Sequence, residues 1–498
     1  MGYKVVLGSF NAVICLIVVG LVILVPSSSF SQNRIQQAID QLSKDPTLKH
    51  ASWGIAVMDV ETEKLIASHN ATLSLVPASS LKVVTTSTAL AELGPDYTFT
   101  TEVQYDGTLD NSGNLDGNVY IKGYGDPTLG SDQLDATPGL DAVIQSFRLS
   151  IQQKGIRSVN GYIVGDASYF DSAVNGKTWQ WNDLGNYYGA GSWGLNLHEN
   201  LYYLHFRQTN QLGGTPGIAL VEPAVPKLSF YNEVTSAERG SGDNAYIYGA
   251  PYTYDRFVRG TIPVGSGTFT IKGSIPDPPL FAAQNLEAQL RSVGIIAAQG
   301  PITQQALMAR GHKDRPRQTL YKHQSPPLSI IVERTNIKSV NLYCETLLRA
   351  LGKVKQDEGS VEAGLEVIED YWKAKSVDFS GCYLEDGSGL SSKNVVTPQF
   401  MAQIMAKTAK DPAYFEAFYD SLPIAGRSGG MKYMARGTAA DGKLRAKTGT
   451  LKRVRSFTGY AETRSGKRLA FSMIMNNYAG SGGAIRKKLE QVMIAMCL

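Results

Sequence analysis

The hydrophobic and polar positions of this chain fall into three successive textures. Up to about residue 100 short patterns follow one another: a helical period over Ile35–Leu42, then two strand-like runs, Trp53–Val60 and Lys64–Ser68, around a polar turn. Pro77 to Gly94 then begins on a proline and stops at a glycine, as helices do. From about 100 to 275 short strands alternate with turns such as Asn111-Ser-Gly-Asn114 and Gly240-Ser-Gly-Asp243, and helical periodicity is scarce. Beyond Pro276 helical patterns return at Ala282–Val293, Ser339–Gly352 and Val361–Lys373. Strand runs at Lys443–Glu462 and Arg468–Asn476 precede a last helix from Gly483. The sequence therefore predicts an α/β (mixed α+β) protein. Its catalytic domain lies in two parts, 32–100 and 276–498, around a strand-rich insertion of one or two small domains over 101–275.

Residues 1–31 stand apart. Lys4 precedes an apolar run from Val13 to Val25, closed by Pro26 and a serine-rich exit. That order describes a signal peptide, and the run is also nearly long enough for an N-terminal anchor associating with the membrane. Both readings send the rest of the chain out of the cytoplasm, to the periplasm.

Composition narrows the class. The 498 residues, 43% hydrophobic and 18% charged, can bury a large core, which excludes wholesale disorder. A net charge of +4 gives no argument for nucleic acid as partner. Four cysteines exclude a disulfide-built scaffold. Cys344, Cys382 and Cys497 read as buried thiols, with a Cys344–Cys382 bridge left open. The six histidines form no HExxH and there is no CxxC, so no metal is implied, and no organic cofactor either.

Two glycine patterns invite a functional reading and lose it. Gly189-Ala-Gly-Ser-Trp-Gly194 fits GxGxxG but lacks the flanking strand and long helix of a dinucleotide site. Gly426-Arg-Ser-Gly-Gly430 fits GxSxG but follows the proline-broken Leu422-Pro-Ile-Ala425, too short for the strand that such an elbow caps.

Three other elements carry chemistry. Ser79-Ser-Leu-Lys82 opens a predicted helix, so the lysine amine can reach the serine hydroxyl and, when neutral, take its proton. Ser339-Val-Asn341 opens another helical pattern. Lys447-Thr-Gly449 lies in a strand pattern, where Lys447 and Thr448 can hold a carboxylate and Gly449 admits a substrate backbone as an added strand. Each is weak alone. In this order, each on the element its chemistry needs, S-x-x-K, S-x-N and K-T-G form the set of penicillin-interacting serine enzymes.

Around these motifs the chain resembles the class C low-molecular-mass penicillin-binding proteins, the serine D-alanyl-D-alanine carboxypeptidase/endopeptidase family. The similar stretches include Gly125-Asp-Pro-Thr-Leu129, Gly165-Asp-Ala-Ser-Tyr-Phe170, Tyr187-Tyr-Gly-Ala-Gly191, Glu385-Asp-Gly-Ser-Gly-Leu-Ser391 and Arg445-Ala-Lys-Thr-Gly-Thr-Leu451. They span about residues 35 to 480, and the long interval from Ser79 to Ser339 matches a family that inserts domains there. The resemblance implies a β-lactamase/transpeptidase-like catalytic domain acting on peptidoglycan stem peptides and acylated by β-lactam antibiotics. Ser79 would be the nucleophile and Lys82 its base, with the oxyanion between the N–H groups of Ser79 and Thr450. Ser339 and Lys447 would relay a proton to the leaving amine, and Asn341 would orient the substrate amide and Lys82. Lys447, Thr448 and Thr450 would bind the terminal carboxylate, beside Gly449. Asp166 would either contact the amine of a diaminopimelate side chain or cap a turn.

One departure stands out. Several family members carry an arginine after Gly-Leu-Ser/Thr where this chain has Ser392 and then Lys393; Lys452-Arg-Val-Arg455 is either a compensating charge or a solvated face. Two further readings share the same residues: a β-lactamase or esterase, and a penicillin-acylated sensor or wall-binding module without turnover. The balance of carboxypeptidase and endopeptidase action, the third stem-peptide residue and the oligomeric state are not set by the sequence.

Overall fold

The computed structural model describes residues 1–4 and 27–498, with side chains from Asn33 onward. The apolar run Val13–Val25, read as signal or anchor, lies outside the described residues. Among those described, no helix is long and apolar enough to cross a membrane.

The catalytic body is a five-stranded antiparallel sheet between two helical layers. Its strands run, in spatial order, Leu444–Leu451, Val454–Glu462, Arg468–Asn476, Ser52–Asp59 and Leu65–His69. Both ends of the chain thus contribute strands, and Ser52–Asp59 pairs in unbroken register with Arg468–Asn476. Because successive side chains of a strand point to opposite faces, Arg468–Asn476 feeds two cores. Phe471, Met473 and Met475 pack with Ile35, Ile39, Leu489 and Met493 of the terminal helices Ser27–Ser43 and Gly482–Cys497. Ala470 and Ile474 face the opposite layer, built around Trp372 from helices Lys82–Leu93, Leu328–Lys338, Asn341–Gln356, Val361–Ala374 and Pro398–Thr408. The apolar end of the chain, including Met496 and Cys497, is buried in this core. Cys344, Cys382 and Cys497 are free thiols, so no bridge joins Cys344 to Cys382.

The insertion is built on a five-stranded mixed sheet: Pro301–Thr303, Ile163–Asp166, Val119–Gly123, Thr100–Tyr105 and Gln318–Gln324 in spatial order. Helices Leu140–Gln153 and Pro278–Ser292 bury Phe147, Ile151, Phe281 and Leu286 into one core with it. Three smaller sheets join it: Gly217–Glu222, Leu201–Arg207 and Thr268–Ser274 in one, Ser229–Ala237, Asp255–Pro263 and Asn244–Tyr248 in another, and the short strands Ile296–Ala297, Ser158–Val159, Asn114–Asp116 and Thr108–Leu109 in the third. Strand pairing moves the boundary expected at residue 275. Gln318–Gln324 pairs antiparallel with Thr100–Tyr105, and Pro301–Thr303 runs parallel to Ile163–Asp166, so the inserted body continues to Gln324. The helical pattern at Ala282–Val293 belongs to it; sequence period reports a helix but not the sheet it covers.

Trp372 is fully buried and its indole N–H donates to Thr88 Oγ1 at 2.8 Å. Trp372→Ala would leave a cavity at the centre of the helical layer and take away the donor to Thr88, whose hydroxyl keeps its own bond to the Val84 carbonyl, at a cost of about 3–5 kcal/mol. We expect a correspondingly lower denaturant midpoint, read by circular dichroism; an unchanged midpoint would contradict this account of the core.

Candidate active site

Ser79 lies in a 3-10 turn, Ala78–Leu81, that runs directly into the helix Lys82–Leu93. In 3-10 winding, positions i and i+3 nearly eclipse, which stacks Lys82 beneath Ser79. Lys82 Nζ lies 3.1 Å from Ser79 Oγ, 2.6 Å from Asn341 Oδ1 and 2.7 Å from the Ser388 carbonyl. The residue before the nucleophile, Ala78, sits at φ +48°, a left-handed conformation rare for a residue with a Cβ.

Ser339 turns a corner. The helix Leu328–Lys338 ends on it at φ +61°, and the helix Asn341–Gln356 begins two residues later. The predicted single helix start at Ser339 is therefore a break between two helices, and the break aims the hydroxyl outward. Lys447 Nζ donates to Ser339 Oγ at 2.8 Å and to the Thr448 carbonyl at 2.9 Å. Asn341 uses both ends of its amide, since Nδ2 donates to the Tyr188 carbonyl at 2.8 Å.

Lys447, Thr448, Gly449 and Thr450 lie on the edge strand Leu444–Leu451. The Ala446 N–H bonds outward to the Pro423 carbonyl, so by the two-residue period the amides of Thr448 and Thr450 also point off the free edge. The edge lies against the nucleophile turn. A Cβ on Gly449 would stand 2.5 Å from the Pro77 carbonyl oxygen and 2.9 Å from Ser80 N, so only glycine fits.

A cleft of about 1260 Å³ opens over these groups, lined by Ser79, Ser339, Asn341 and Thr450 from the catalytic body and by Tyr187 and Tyr188 from the insertion. Five of the predicted residues, Ser79, Lys82, Ser339, Asn341 and Lys447, thus come together. Thr450 faces the cleft, whereas Thr448 does not line it and packs toward Gly430. Asp166 stands elsewhere. It is buried in the inserted sheet, paired with Lys122 at 3.1 Å and Arg317 at 2.6 Å, and it caps a turn by accepting from Ser168 N at 2.9 Å. Both its oxygens are occupied and it does not line the cleft, which leaves the turn-capping half of its expected role. Ser392 lines the cleft and Lys393 does not. Ser428 accepts from Ile424 N at 3.0 Å within a glycine turn, as the discounted elbow motif required.

The electrostatics of the pair follow from burial. Desolvation holds the Lys82 amine below the ordinary lysine range, offset in part by the Cys344 thiol and the Glu345 and Asp386 carboxyls. Burial pushes Lys447 well below that range too, and the charge of Lys82 pushes it further.

Sequence reasoning missed the groups that orient this pair. Glu345, one turn after Asn341, accepts from Ser388 N at 2.8 Å and from Gly387 N at 3.3 Å, and so turns the Ser388 carbonyl toward Lys82. Burial and the charge of Asp386 raise Glu345 to about 7. Asp386 accepts from Gly389 N, Ser391 N, Asn394 Nδ2 and Trp179 Nε1 at 2.7–2.9 Å. The sequence signal for Glu345 was an acidic residue one helical turn past S-x-N, and that for Asp386 its place in the Glu385–Ser391 stretch, which reads as a loop beside the site.

Comparison with known proteins agrees with this geometry. The D-Ala-D-Ala carboxypeptidase 3 (S13) family matches residues 35–496. The chain is 28% identical to the D-alanyl-D-alanine carboxypeptidase of Actinomadura sp. strain R39 over 92% of its own length and 84% of that protein's. It is 27% identical to the D-alanyl-D-alanine carboxypeptidase DacB of Haemophilus influenzae, with 88% of each covered. The crystal structure of penicillin binding protein 4 (dacB) from Haemophilus influenzae superposes with a TM-score of 0.76 at 25% identity, covering 92% of this chain and 97% of that one. The same Haemophilus protein has been crystallised with a β-lactam.

A base that must be neutral becomes active as pH rises through its pKa. Glu345→Gln removes a negative neighbour that raises Lys82, so the ascending limb of kcat/KM for an acyl-D-Ala-D-Ala peptide should move to lower pH. The shift is read above about pH 7, where Glu345 is ionised in the parent protein. A limb that stays in place would contradict the coupling.

Proposed function

We propose a mechanism for this chain, which belongs to the D-Ala-D-Ala carboxypeptidase 3 (S13) family and is a serine-type D-Ala-D-Ala carboxypeptidase. Ser79 Oγ attacks the carbonyl between the two terminal D-alanines of a peptidoglycan stem peptide, and its proton passes to neutral Lys82. The oxyanion is held by the N–H groups of Ser79 and Thr450, the latter on the free edge of its strand. The leaving amine takes a proton from Ser339, which Lys447 restores, and D-alanine departs. Asn341 holds Lys82 and the substrate amide. Water then attacks the Ser79 ester, one of its protons restores the Ser79 hydroxyl and the shortened peptide leaves; Lys82 gives up its extra proton to solvent and Lys447 regains one from it. The terminal carboxylate of the substrate lies toward Thr450, which faces the cleft from that strand. One observation carries this reading: a fully buried lysine amine 3.1 Å from a serine hydroxyl, with oxygen acceptors around it and no carboxylate in contact.

The same path extends to two further ligands. A cleft of about 1260 Å³, walled on one side by the insertion, has room for both arms of a cross-linked dimer, which supports D,D-endopeptidase action beside the carboxypeptidase reaction. β-Lactams mimic acyl-D-Ala-D-Ala and stall at the acyl-enzyme, in keeping with the Haemophilus complex. Both substrates lie outside the cytoplasm, where the N-terminal segment would deliver the chain as a signal or hold it as an anchor.

We expect the protein to remove one D-alanine from pentapeptide monomers and to split cross-linked muropeptide dimers, with products read by mass. Ser79→Ala should lower both activities by about 10⁴-fold or more. If neither substrate changes while fluorescent penicillin still labels Ser79, the turnover reading fails and that of a penicillin-acylated sensor replaces it.

A further inference from the structure

We propose that Arg455 recognises the free carboxylate of the leaving residue, acting beside Thr450 at the end of the edge strand. The inference rests on Ser79 being the nucleophile, and it assigns the cation that the substrate's anionic end requires.

Arg455 stands directly opposite Thr450 across the hairpin of Leu444–Leu451 and Val454–Glu462. Its Nη1 donates to Thr450 Oγ1. Thr450 in turn lines the cleft with Ser79. An acyl carbonyl poised between the amides of Ser79 and Thr450 directs the leaving residue toward this end of the strand, beyond the scissile bond. The guanidinium is half-buried and uncompensated. Among the described residues, arginine–carboxylate pairs engage Arg259, Arg291, Arg317, Arg334, Arg349 and Arg445, but not Arg455. Its buried Nε finds no acceptor in the protein. A half-buried cation with an unmet donor favours an incoming anion, and the planar fork of arginine matches a carboxylate with two parallel hydrogen bonds.

Arg455 does not itself line the cleft and meets it through Thr450, and most cations nearer the cleft are committed. Lys447 faces Ser339, Lys82 faces Ser79, and Arg334 pairs with Glu199 at 3.2 Å. Lys272 lies over the rings of Tyr187 and Tyr203, 5.7 and 5.1 Å from their centroids. Lys338 and Lys452 line the cleft but are exposed and loosely held. Arg453, on the hairpin turn, spends its Nε and Nη2 on the carbonyls of Tyr478 and Asn477. Among the described residues near Thr450, that leaves Arg455 as the cation fixed by the sheet and free of a carboxylate. It also answers the departure at Ser392 and Lys393, where the chain lacks an arginine after Gly-Leu-Ser.

The consequence is a selectivity. Any leaving amine whose α-carbon bears a carboxylate satisfies Arg455, whether a terminal D-alanine or the acceptor of a cross-link, and one whose carboxylate is amidated does not. The test compares kcat/KM for an acyl-D-Ala-D-Ala peptide and its C-terminal carboxamide. The parent protein should prefer the free acid by roughly 10–100-fold, the scale of a hydrogen bond between charged groups. Arg455→Gln should bring the acid down to the carboxamide's rate while the carboxamide rate holds. Arg455→Lys should keep an intermediate preference, and Lys452→Gln should keep the full one. The proposal is overturned if Arg455→Gln retains the preference, if it lowers both substrates equally, or if Lys452→Gln is the variant that abolishes it. Failure of the underlying mechanism looks different: the parent protein would then hydrolyse neither peptide.

Discussion

Two lysine amines share one buried site, and that constraint organises what surrounds them. Ammonium groups taken from water are costly, and two close together repel. A carboxylate in direct contact with each would lower that cost, but it would also hold both lysines charged. The protein instead supplies neutral oxygens: Ser79 Oγ, Asn341 Oδ1 and the Ser388 carbonyl around Lys82, Ser339 Oγ and the Thr448 carbonyl around Lys447. The nearby carboxyls of Glu345 and Asp386 are kept one step back. Their oxygens are filled by backbone amides of the loop Asp386–Ser391. Their field reaches Lys82 while their lone pairs do not, which leaves the amine able to give up its proton.

This arrangement makes the insertion part of the catalytic body. The carbonyl that fixes Asn341 comes from Tyr188, and the indole that completes the shell of Asp386 comes from Trp179. Buried Arg349, on the helix that carries Asn341 and Glu345, pairs with Asp171 at 2.6 Å. Thus the inserted residues 171–188 grip the helix Asn341–Gln356 and the loop beside it at three points. A deformation of the insertion would reach Lys82 through Asn341 without passing through the sheet.

What the sequence could and could not disclose follows from the range of each interaction. Ser79 and Lys82 are three residues apart, and the alternation and glycine content of Leu444–Leu451 are local, so these elements were legible. The hairpin of Ser52–Asp59 and Leu65–His69 likewise needed only its own pattern and turn. Glu345 acts through amides some forty residues away in the chain, and nothing in its immediate neighbours marks it. Asp166 was open between two roles in the sequence, and only strand pairing reveals that Lys122 and Arg317 surround it. The boundary at residue 275 was misread for the same reason, because Gln318–Gln324 joins the inserted sheet through a partner more than two hundred residues earlier.

The strained backbone at the site also has an identifiable support. Ala78 and Ser339 occupy left-handed conformations that cost a residue with a Cβ roughly 1–2 kcal/mol each. Ala78 is held from two sides. A Cβ on Gly389 would lie 2.0 Å from the Ala78 carbonyl oxygen, and one on Gly449 would strike Pro77 and Ser80 on the other flank. The nucleophile turn is therefore clamped between the loop that orients Lys82 and the strand that carries Lys447, each approaching as closely as glycine permits. Relaxing Ala78 would require one of these walls to retreat, and either retreat would separate a lysine from its serine. The strain persists because the contacts that align the proton-transfer groups are the same contacts that forbid its release.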